Sequence, residues 1–444
     1  MDVLKYNIFL KIGIILFLIL LLLIPTTMIR GLVREREQRQ NEAIIEVSSK
    51  WGEPQTLTGP FISIPFYRYT MEYVGDFQKE KLVKVIDYMH FLPEELKING
   101  LIEPERRHRG IYEIVVYDSE ILLSGFFKNL DLKQFNVPES DILLDKAVLS
   151  LGISDLTGIE EQVSLQFNQE SGLFDPGMIS NDIIYSGINA PVVLCDDSCS
   201  YEFLFELKLK GSQMLYFVPM GKITDVNIES SWANPSFNGA FLPDTHHITD
   251  DGFTAGWNIL HLNRNFPQSW SGSQYSVDES GFGVYLILPV DKYQKIERSI
   301  KYAILFIVFT FLVFFFVEIL AKKFIHPIQY TLVGIALIVF FSLLLSITEH
   351  LNFDSAYLIS TVSVLALISA YIRTILRSSR LTLLIGGILT ILYIFIYIIL
   401  QIQDYALLTG SIGIFIILAL VMYFSRKIDW YNIRIDQSKD VEEA

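Results

Sequence analysis

The sequence predicts a membrane α-helical bundle, six transmembrane helices in all, joined to a large all-β, sandwich-like domain. Three observations carry this. Apolar stretches at 302–320, 328–347, 356–376, 381–400 and 405–424 each hold about 20 residues, and a rise of about 1.5 Å per residue lets each cross a hydrocarbon core of roughly 30 Å. A sixth apolar run occupies 7–28, far upstream. Between that run and the other five, residues 31–300 alternate short stretches rich in Val, Ile, Phe and Tyr with Gly, Asp, Asn and Pro.

The run at 7–28 reads as an uncleaved anchor within a segment 1–30. Its apolar length exceeds a signal-peptide core, and Pro25, Thr26, Thr27 and Met28 offer no small-x-small cleavage site. Just past it, 34–50 has Ala43, Ile44 and Val47 at helical spacing among good helix formers, which predicts a helix. A second helix is expected from Asp291 through Glu297 into the span that follows.

Loop charge orients the five later spans, which make up 301–425. Lys322 and Lys323 lie between the first and second of them, Arg373, Arg377 and Arg380 between the third and fourth, and Arg426 and Lys427 after the fifth. The alternate turns hold Glu349, His350, Asn352 and Asp354, then Gln401, Gln403 and Asp404, with no Lys or Arg. Lys and Arg concentrate in short cytoplasmic loops. The tail 426–444 is therefore expected in the cytoplasm, and parity of six spans puts the N-terminus there too, in agreement with Lys5 and Lys11. Arg30, Arg34, Arg36 and Arg39 would then be translocated, against the trend. Long translocated domains follow the charge rule weakly, so the short loops decide. Residues 31–300 are expected outside the cytoplasm.

Those residues carry 39 Asp and Glu against 22 Lys and Arg, a net of −17, while the whole chain is −14. So acidic a segment argues against nucleic acid as a partner and against lying flat on anionic lipid. Strands are expected at 61–67 after a Thr58-Gly59-Pro60 turn, at 111–117 and 120–126 about an Asp118-Ser119 turn, and at 146–153, 163–167, 201–210, 214–218, 222–229 and 283–289.

The two cysteines, Cys195 and Cys199, are close enough in sequence for a small-loop disulfide in an oxidising compartment, or are two neighbouring free thiols. No zinc-protease, serine-hydrolase or nucleotide-binding motif is present, so the chain reads as non-catalytic, without cofactor or metal. His246 and His247 with Asp250 and Asp251 read as loop residues before they read as metal ligands. The string from Trp257 to Asn265 is the candidate binding site. On a continuing strand Trp257, His261, Asn263 and Asn265 would share one face, with Arg264 on the other. The alternative is a turn whose side chains satisfy backbone groups.

Within the spans, Glu318 is expected to form an interfacial pair with Lys322, four residues on. Glu349, His350, Asp354 and Asp404 fall at span ends, where a proton relay is conceivable but water already reaches. Gly334, Gly386 and Gly387 suit close helix packing.

Several strings resemble one family. They are Leu57-Thr58-Gly59-Pro60, the run from Phe237 to Pro243, Trp257 with the run from His261 to Trp270, and the run from Ser299 to Phe306. His326-Pro327-Ile328-Gln329-Tyr330, Ser346 with Glu349-His350-Leu351, Asp404 to Leu408 with Gly410, and Asp429-Trp430-Tyr431 belong to the same set. Together the chain resembles the CreD family of cell-envelope-integrity inner-membrane proteins over nearly its whole length. The resemblance implies a bacterial inner-membrane protein whose residues 31–300 are periplasmic, and it implies no known reaction. The expected function is support of envelope integrity, with the periplasmic domain binding or sensing envelope components. A transporter or lipid-handling protein is the alternative. The expected partners are the lipid bilayer and envelope proteins or lipids, and the sequence leaves the oligomeric state open.

Overall fold

A computed structural model describes residues 8–74, 79–128, 130–194, 200–288, 292–321, 323–402 and 406–426. Cys195, Cys199, Lys322, Gln403, Asp404 and the string 429–431 lie outside the described residues. The chain divides into two units, one of Met1–Gln40 with Val290–Ala444 and the other of Asn41–Pro289. These boundaries fall inside the expected 31–300 at both ends, and the first of them falls within a helix.

That helix, α1 (Ile8–Trp51), is continuous: the anchor and the helix expected at 34–50 are one element. Pro25 sits inside it, and the Thr26 and Thr27 hydroxyls donate to the Leu23 and Ile24 carbonyls at 2.6 and 2.7 Å. Pro25 has no N–H to offer the Leu21 carbonyl one turn back, and the two hydroxyls bond back to carbonyls that lie between these two residues in the chain.

Seventeen strands follow among the described residues. The first are β1 (Gln55–Val74), β2 (Lys79–Phe91), β3 (Glu95–Arg109), β4 (Tyr112–Lys128), β5 (Val148–Ile153) and β6 (Ser164–Phe167). Next come β7 (Glu170–Leu173), β8 (Asp175–Pro176), β9 (Gly187–Pro191), β10 (Ser200–Ser212), β11 (Met214–Val218) and β12 (Ile223–Ser230). The last are β13 (Pro235–Gly239), β14 (Thr245–Thr249), β15 (Gly252–Leu260), β16 (Ser269–Ser271) and β17 (Phe282–Leu286). They form two sheets. The nine-stranded sheet runs β13-β17-β11-β1-β5-β9-β8, with β2 on β1 and β16 on β2. The eight-stranded sheet runs β14-β15-β12-β3-β4-β10-β6-β7. Pairing is mixed: β1–β11 and β3–β12 are parallel, and the other pairs are antiparallel.

One hydrophobic core takes side chains from both sheets, among them Ile62, Ile64, Leu149 and Phe217 from the first and Ile98, Leu123, Phe205 and Val226 from the second. Along β10 the period of two is plain: Tyr201, Phe203, Phe205, Leu207 and Leu209 are buried, and Glu202, Leu204 and Glu206 are exposed.

Two expected turns are not turns. Asp118-Ser119 lies within β4, because β3 and β10 pair with it on either side and the Ser119 hydroxyl donates to the Leu209 carbonyl at 2.6 Å. Thr58-Gly59-Pro60 lies within β1, where the register with β5 shifts between Thr58 and Phe61 and Gly59 takes φ 131°. Such a φ at a strand irregularity favours glycine.

After the strands come α2 (Lys292–Lys301), α3 (Ala303–Ala321), α4 (Pro327–Thr348), α5 (Phe353–Leu376), α6 (Ser379–Gln401) and α7 (Ala406–Ser425). Among the described residues five helices, α1 and α3 to α6, are long and apolar enough to cross a membrane, and α7 is apolar over Leu408–Tyr423. Local signals set the ends. His326 caps α4, with Pro327 in the first turn and the Gln329 side chain accepting from the His326 N–H at 3.0 Å. Asn352 caps α5 through the Ser355 N–H at 3.0 Å. In the bundle, the Phe306 and Phe340 rings meet the Tyr393 ring with centroids at 4.6 and 5.0 Å. Gly334 lets Leu22 of α1 approach α4, since a Cβ there would lie 2.2 Å from a Leu22 methyl. Gly386 faces Ser369, and Gly387 faces open space.

Candidate functional site

The string from Trp257 to Asn265 does not form one face. β15 ends at Leu260, and His261–Asn263 turns into a 3-10 helix, which breaks the period of two. Trp257 is 2% exposed and packs in the core against Phe237 and Phe282, with ring centroids at 5.8 and 5.6 Å. Asn263 accepts from the Leu260 N–H at 3.1 Å, and the His261 N–H donates to the Lys222 carbonyl at 2.8 Å. Asn265 is exposed.

The buried charged residue of the string is Arg264. Its guanidinium donates to the carbonyls of Phe266, Pro267 and Met220 at 2.7, 3.3 and 3.4 Å and to the Gln268 side chain, and it lies 4.1 Å from the Phe266 ring centre. Burial draws its pKa down to about 10, so the charge persists at neutral pH. Arg264 therefore gathers a loop around one cation. The strand pattern had put Arg264 on the far side, and only its position between two amides hinted at a turn.

A different surface has the shape of a binding site. The outer face of the eight-stranded sheet holds an open groove of about 730 Å³. Two rows of cross-strand neighbours line it. One passes from His247 through Thr254, Glu229 and Leu101 to Glu120. The other passes from Thr245 through Gly256, Asn227 and Asn99 to Leu122 and Glu206. Directly opposed residues on a sheet project to the same side. The Asn227 amide reaches Asn99 Oδ1 at 3.5 Å, and Lys208 stands 3.8 Å from Glu120. Gly256 keeps the floor open, because a Cβ there would meet Thr245 Oγ1 at 2.8 Å and Asn227 Oδ1 at 3.1 Å. Three carboxylates and two amides beside two leucines can accept amine or hydroxyl protons while an apolar edge packs. His246 and His247 lie on β14 beside this groove, and no group of three or more His, Cys, Asp or Glu that could hold a metal occurs among the described residues.

The sequence motifs also missed a Ser–His–Asp alignment. Ser63 on β1 and His90 on β2 are cross-strand partners. His90 Nε2 lies 3.1 Å from Asp182, and Nδ1 lies 2.9 Å from the Ser63 hydroxyl. With the ring proton on Nε2 directed to the carboxylate, Nδ1 accepts from Ser63. The hydrogen bond from His90 holds the Asp182 carboxyl below the usual range. Ser63 and His90 are each 1% exposed, beneath Phe61 and Trp270, whose rings lie 6.0 and 5.9 Å from the imidazole. A nucleophilic hydroxyl must meet its substrate, and this one is sealed. The three residues come from separate segments, so no local motif could have announced them.

In the helical unit, Glu318 of α3 is 1% exposed and pairs with Lys11 of α1, while Lys322, its expected partner, lies outside the described residues. Helical spacing shows only partners on the same helix, and Lys11 comes from another. Lys11 also donates to the Ile325 carbonyl at 3.0 Å and stands 4.5 Å from the Phe324 ring centre. Glu318 accepts from the Ile325 N–H at 3.1 Å and the Tyr330 hydroxyl at 3.0 Å. The polar residues at the opposite helix ends form separate pairs. Arg36 meets Glu349 at 3.3 Å, Arg34 meets Glu297 at 3.7 Å, and Asp354 accepts from Tyr397 and Gln401 at 3.0 and 2.6 Å. Arg39 meets Glu35 at 2.7 Å, so three of the four arginines that follow the anchor have carboxylate partners.

Comparison with known proteins extends the reading. Among solved structures, two of an M1 zinc metallopeptidase from Deinococcus radiodurans, one a mutant bound to a Tyr-Ser-Ala substrate, align at 7% and 6% identity. Those alignments cover 38% of this chain and 39% and 38% of theirs, with a TM-score of 0.19 each, and a likeness that slight carries no argument. Inner membrane protein CreD of Escherichia coli (strain K12) is 30% identical over 447 residues, covering 99% of this chain and 98% of that protein. Residues 7–431 match the family described as Inner membrane protein CreD. Agreement over almost the full length of both chains, together with several apolar helices, leads to one conclusion: the chain belongs to the CreD family of inner membrane proteins.

Proposed function

We propose that this protein supports cell-envelope integrity from the inner membrane, with its β domain on the periplasmic side binding or sensing an envelope component, and that it does so without catalysis. The groove on the eight-stranded sheet carries this reading, since Glu120, Glu206 and Glu229 with Asn99 and Asn227 suit a ligand bearing amine or hydroxyl groups. In this reading α7 is the sixth span, and both termini are cytoplasmic, as the basic loops suggest. The sealed Ser63 hydroxyl supports the non-catalytic part.

The transport alternative draws on the buried Lys11–Glu318 pair, because ionisable groups in a membrane often mark an ion path. Both oxygens of Glu318 are already engaged, by Lys11, Ile325 and Tyr330, which favours a structural lock.

The test is a full-length variant with Glu206→Gln, Glu229→Gln and Asn227→Leu, scored for rescue of the envelope phenotype of a deletion strain at matched protein level. Lost rescue with an unchanged melting temperature is expected. Full rescue would sink the groove as the binding site.

A further inference from the structure

From Tyr67 outward, β1 and β2 pair only with each other among the described residues. Their neighbours stop earlier. β5 leaves β1 at Ser63, β16 reaches β2 only at Met89 to Phe91, and a single bridge joins Phe66 to Ile142. What remains is a two-stranded ribbon, a form that is marginal in water by itself.

Its two faces differ. Tyr67 opposes Ile86, Tyr69 opposes Lys84, and Met71 opposes Leu82, so these six side chains share one face. Tyr69 is 49% exposed, with its hydroxyl donating to Asp141 at 3.2 Å, and Met71 is 60%, Leu82 59% and Ile86 53% exposed. The Lys84 amine lies 3.4 Å from the Tyr67 ring centre, so its stem crosses the apolar face and its charge sits over an aromatic. The other face carries Arg68, Thr70, Val83 and Val85, with Arg68 3.2 Å from Asp87.

Charge sets the ribbon apart from its domain. Residues 66–88 hold four basic and four acidic side chains, whereas 31–300 as a whole carry a net of −17. An acidic surface is repelled by anionic lipid, and a neutral one is not. Tyrosine hydroxyls, a lysine reaching past apolar groups, and exposed Met, Leu and Ile together match the chemistry of a lipid–water interface. Membrane-length helices flank the β domain in the chain, so the domain is tethered to a bilayer.

We propose that the Tyr67–Tyr69–Met71 face of this ribbon rests in the interface of the bilayer that holds the protein's own helices. The proposal does not depend on what the groove binds.

The test places the photoreactive amino acid p-benzoylphenylalanine at Met71, or in a second variant at Leu82, in the full chain. Each variant is irradiated in native membranes and in nanodiscs that hold one chain and one bilayer. Adducts with phospholipid are expected in both settings, several-fold more abundant than from the same group at Thr70 on the opposite face. Crosslinks to a second copy or to another protein in place of lipid, no lipid adduct at either position, or equal yields from the two faces would each overturn the proposal.

Discussion

Lys11 and Glu318 meet as a buried ion pair although 307 positions separate them in the chain. Each charge is also held by neighbours: the Ile325 carbonyl and Phe324 ring on the lysine, the Ile325 N–H and Tyr330 hydroxyl on the carboxylate. Burying a charge is tolerable only with such partners. The arrangement fastens the first helix to the turn between α3 and α4.

Removing one partner should therefore cost more than removing both. Lys11→Met alone, or Glu318→Gln alone, should destabilise the detergent-purified protein by about 3–5 kcal/mol for a broken buried pair. Lys11→Met with Glu318→Leu should recover much of that loss, because no charge is then left unpaired. Thermal unfolding of the four proteins completes a double-mutant cycle. Strictly additive single effects would mean the two residues do not act as a pair.

Orientation is open to a separate check. Asp354 lies at the start of α5 in a turn without basic residues, and Ser379 lies at the start of α6 between Arg377 and Arg380. A reporter active only outside the cytoplasm should be active when fused at Asp354 and silent when fused at Ser379. The reverse pattern would invert the whole assignment.

The spans were legible because an apolar run of about 20 residues has few other uses. A short apolar run bounded by turn residues was legible too, as at 214–218, where expectation and structure coincide. The Asp118-Ser119 turn failed because turn propensity is local, while the register that holds β4 straight there comes from Ile102, Glu103, Leu209 and Lys210 on neighbouring strands. The single face expected of the candidate string failed for a related reason, and the alternative of a turn whose side chains satisfy backbone groups is what forms. A period of two describes a strand only while the strand lasts, and nothing in Leu260-His261-Leu262 marks its end. The groove, the Ser63–His90–Asp182 alignment and the Lys11–Glu318 pair join residues from distant segments, which a single sequence does not relate.

The histidine network has a pH signature. In the fold, the hydrogen bond from His90 lowers the Asp182 pKa from its ordinary value of about 3.9. A carboxyl whose pKa falls on folding contributes stability that is fully present above the unfolded pKa. That contribution is lost as pH drops through the folded pKa. Asp182→Asn should thus melt lower than the parent at neutral pH, and the gap should close on acidification below about pH 4. A gap independent of pH would show that the ionised carboxylate contributes nothing. Ser63→Ala should cost about 1 kcal/mol for one buried hydrogen bond and should leave the envelope phenotype intact. Loss of phenotype in a well-folded Ser63→Ala protein would reopen the question of catalysis.

The string around Arg264 separates fold from binding most sharply. Arg264 is the residue on which the loop depends, since three carbonyls and the Gln268 side chain converge on it, and Gln268 in turn donates to the Pro93 carbonyl at 3.0 Å. Arg264→Met keeps much of the stem but strands those acceptors, so a loss of about 2–3 kcal/mol is expected. Asn263→Ala removes a turn cap and should cost about 1 kcal/mol. His261→Ala and Asn265→Ala touch side chains at the surface and should stay within about 0.5 kcal/mol. If the string only shapes the fold, the envelope phenotype should follow stability, failing for Arg264→Met and surviving for His261→Ala and Asn265→Ala. Melting curves of the four purified variants beside a complementation assay decide it. Loss of phenotype in His261→Ala or Asn265→Ala at unchanged melting temperature would make this turn a binding surface after all, because neither change alters the fold enough to act through it.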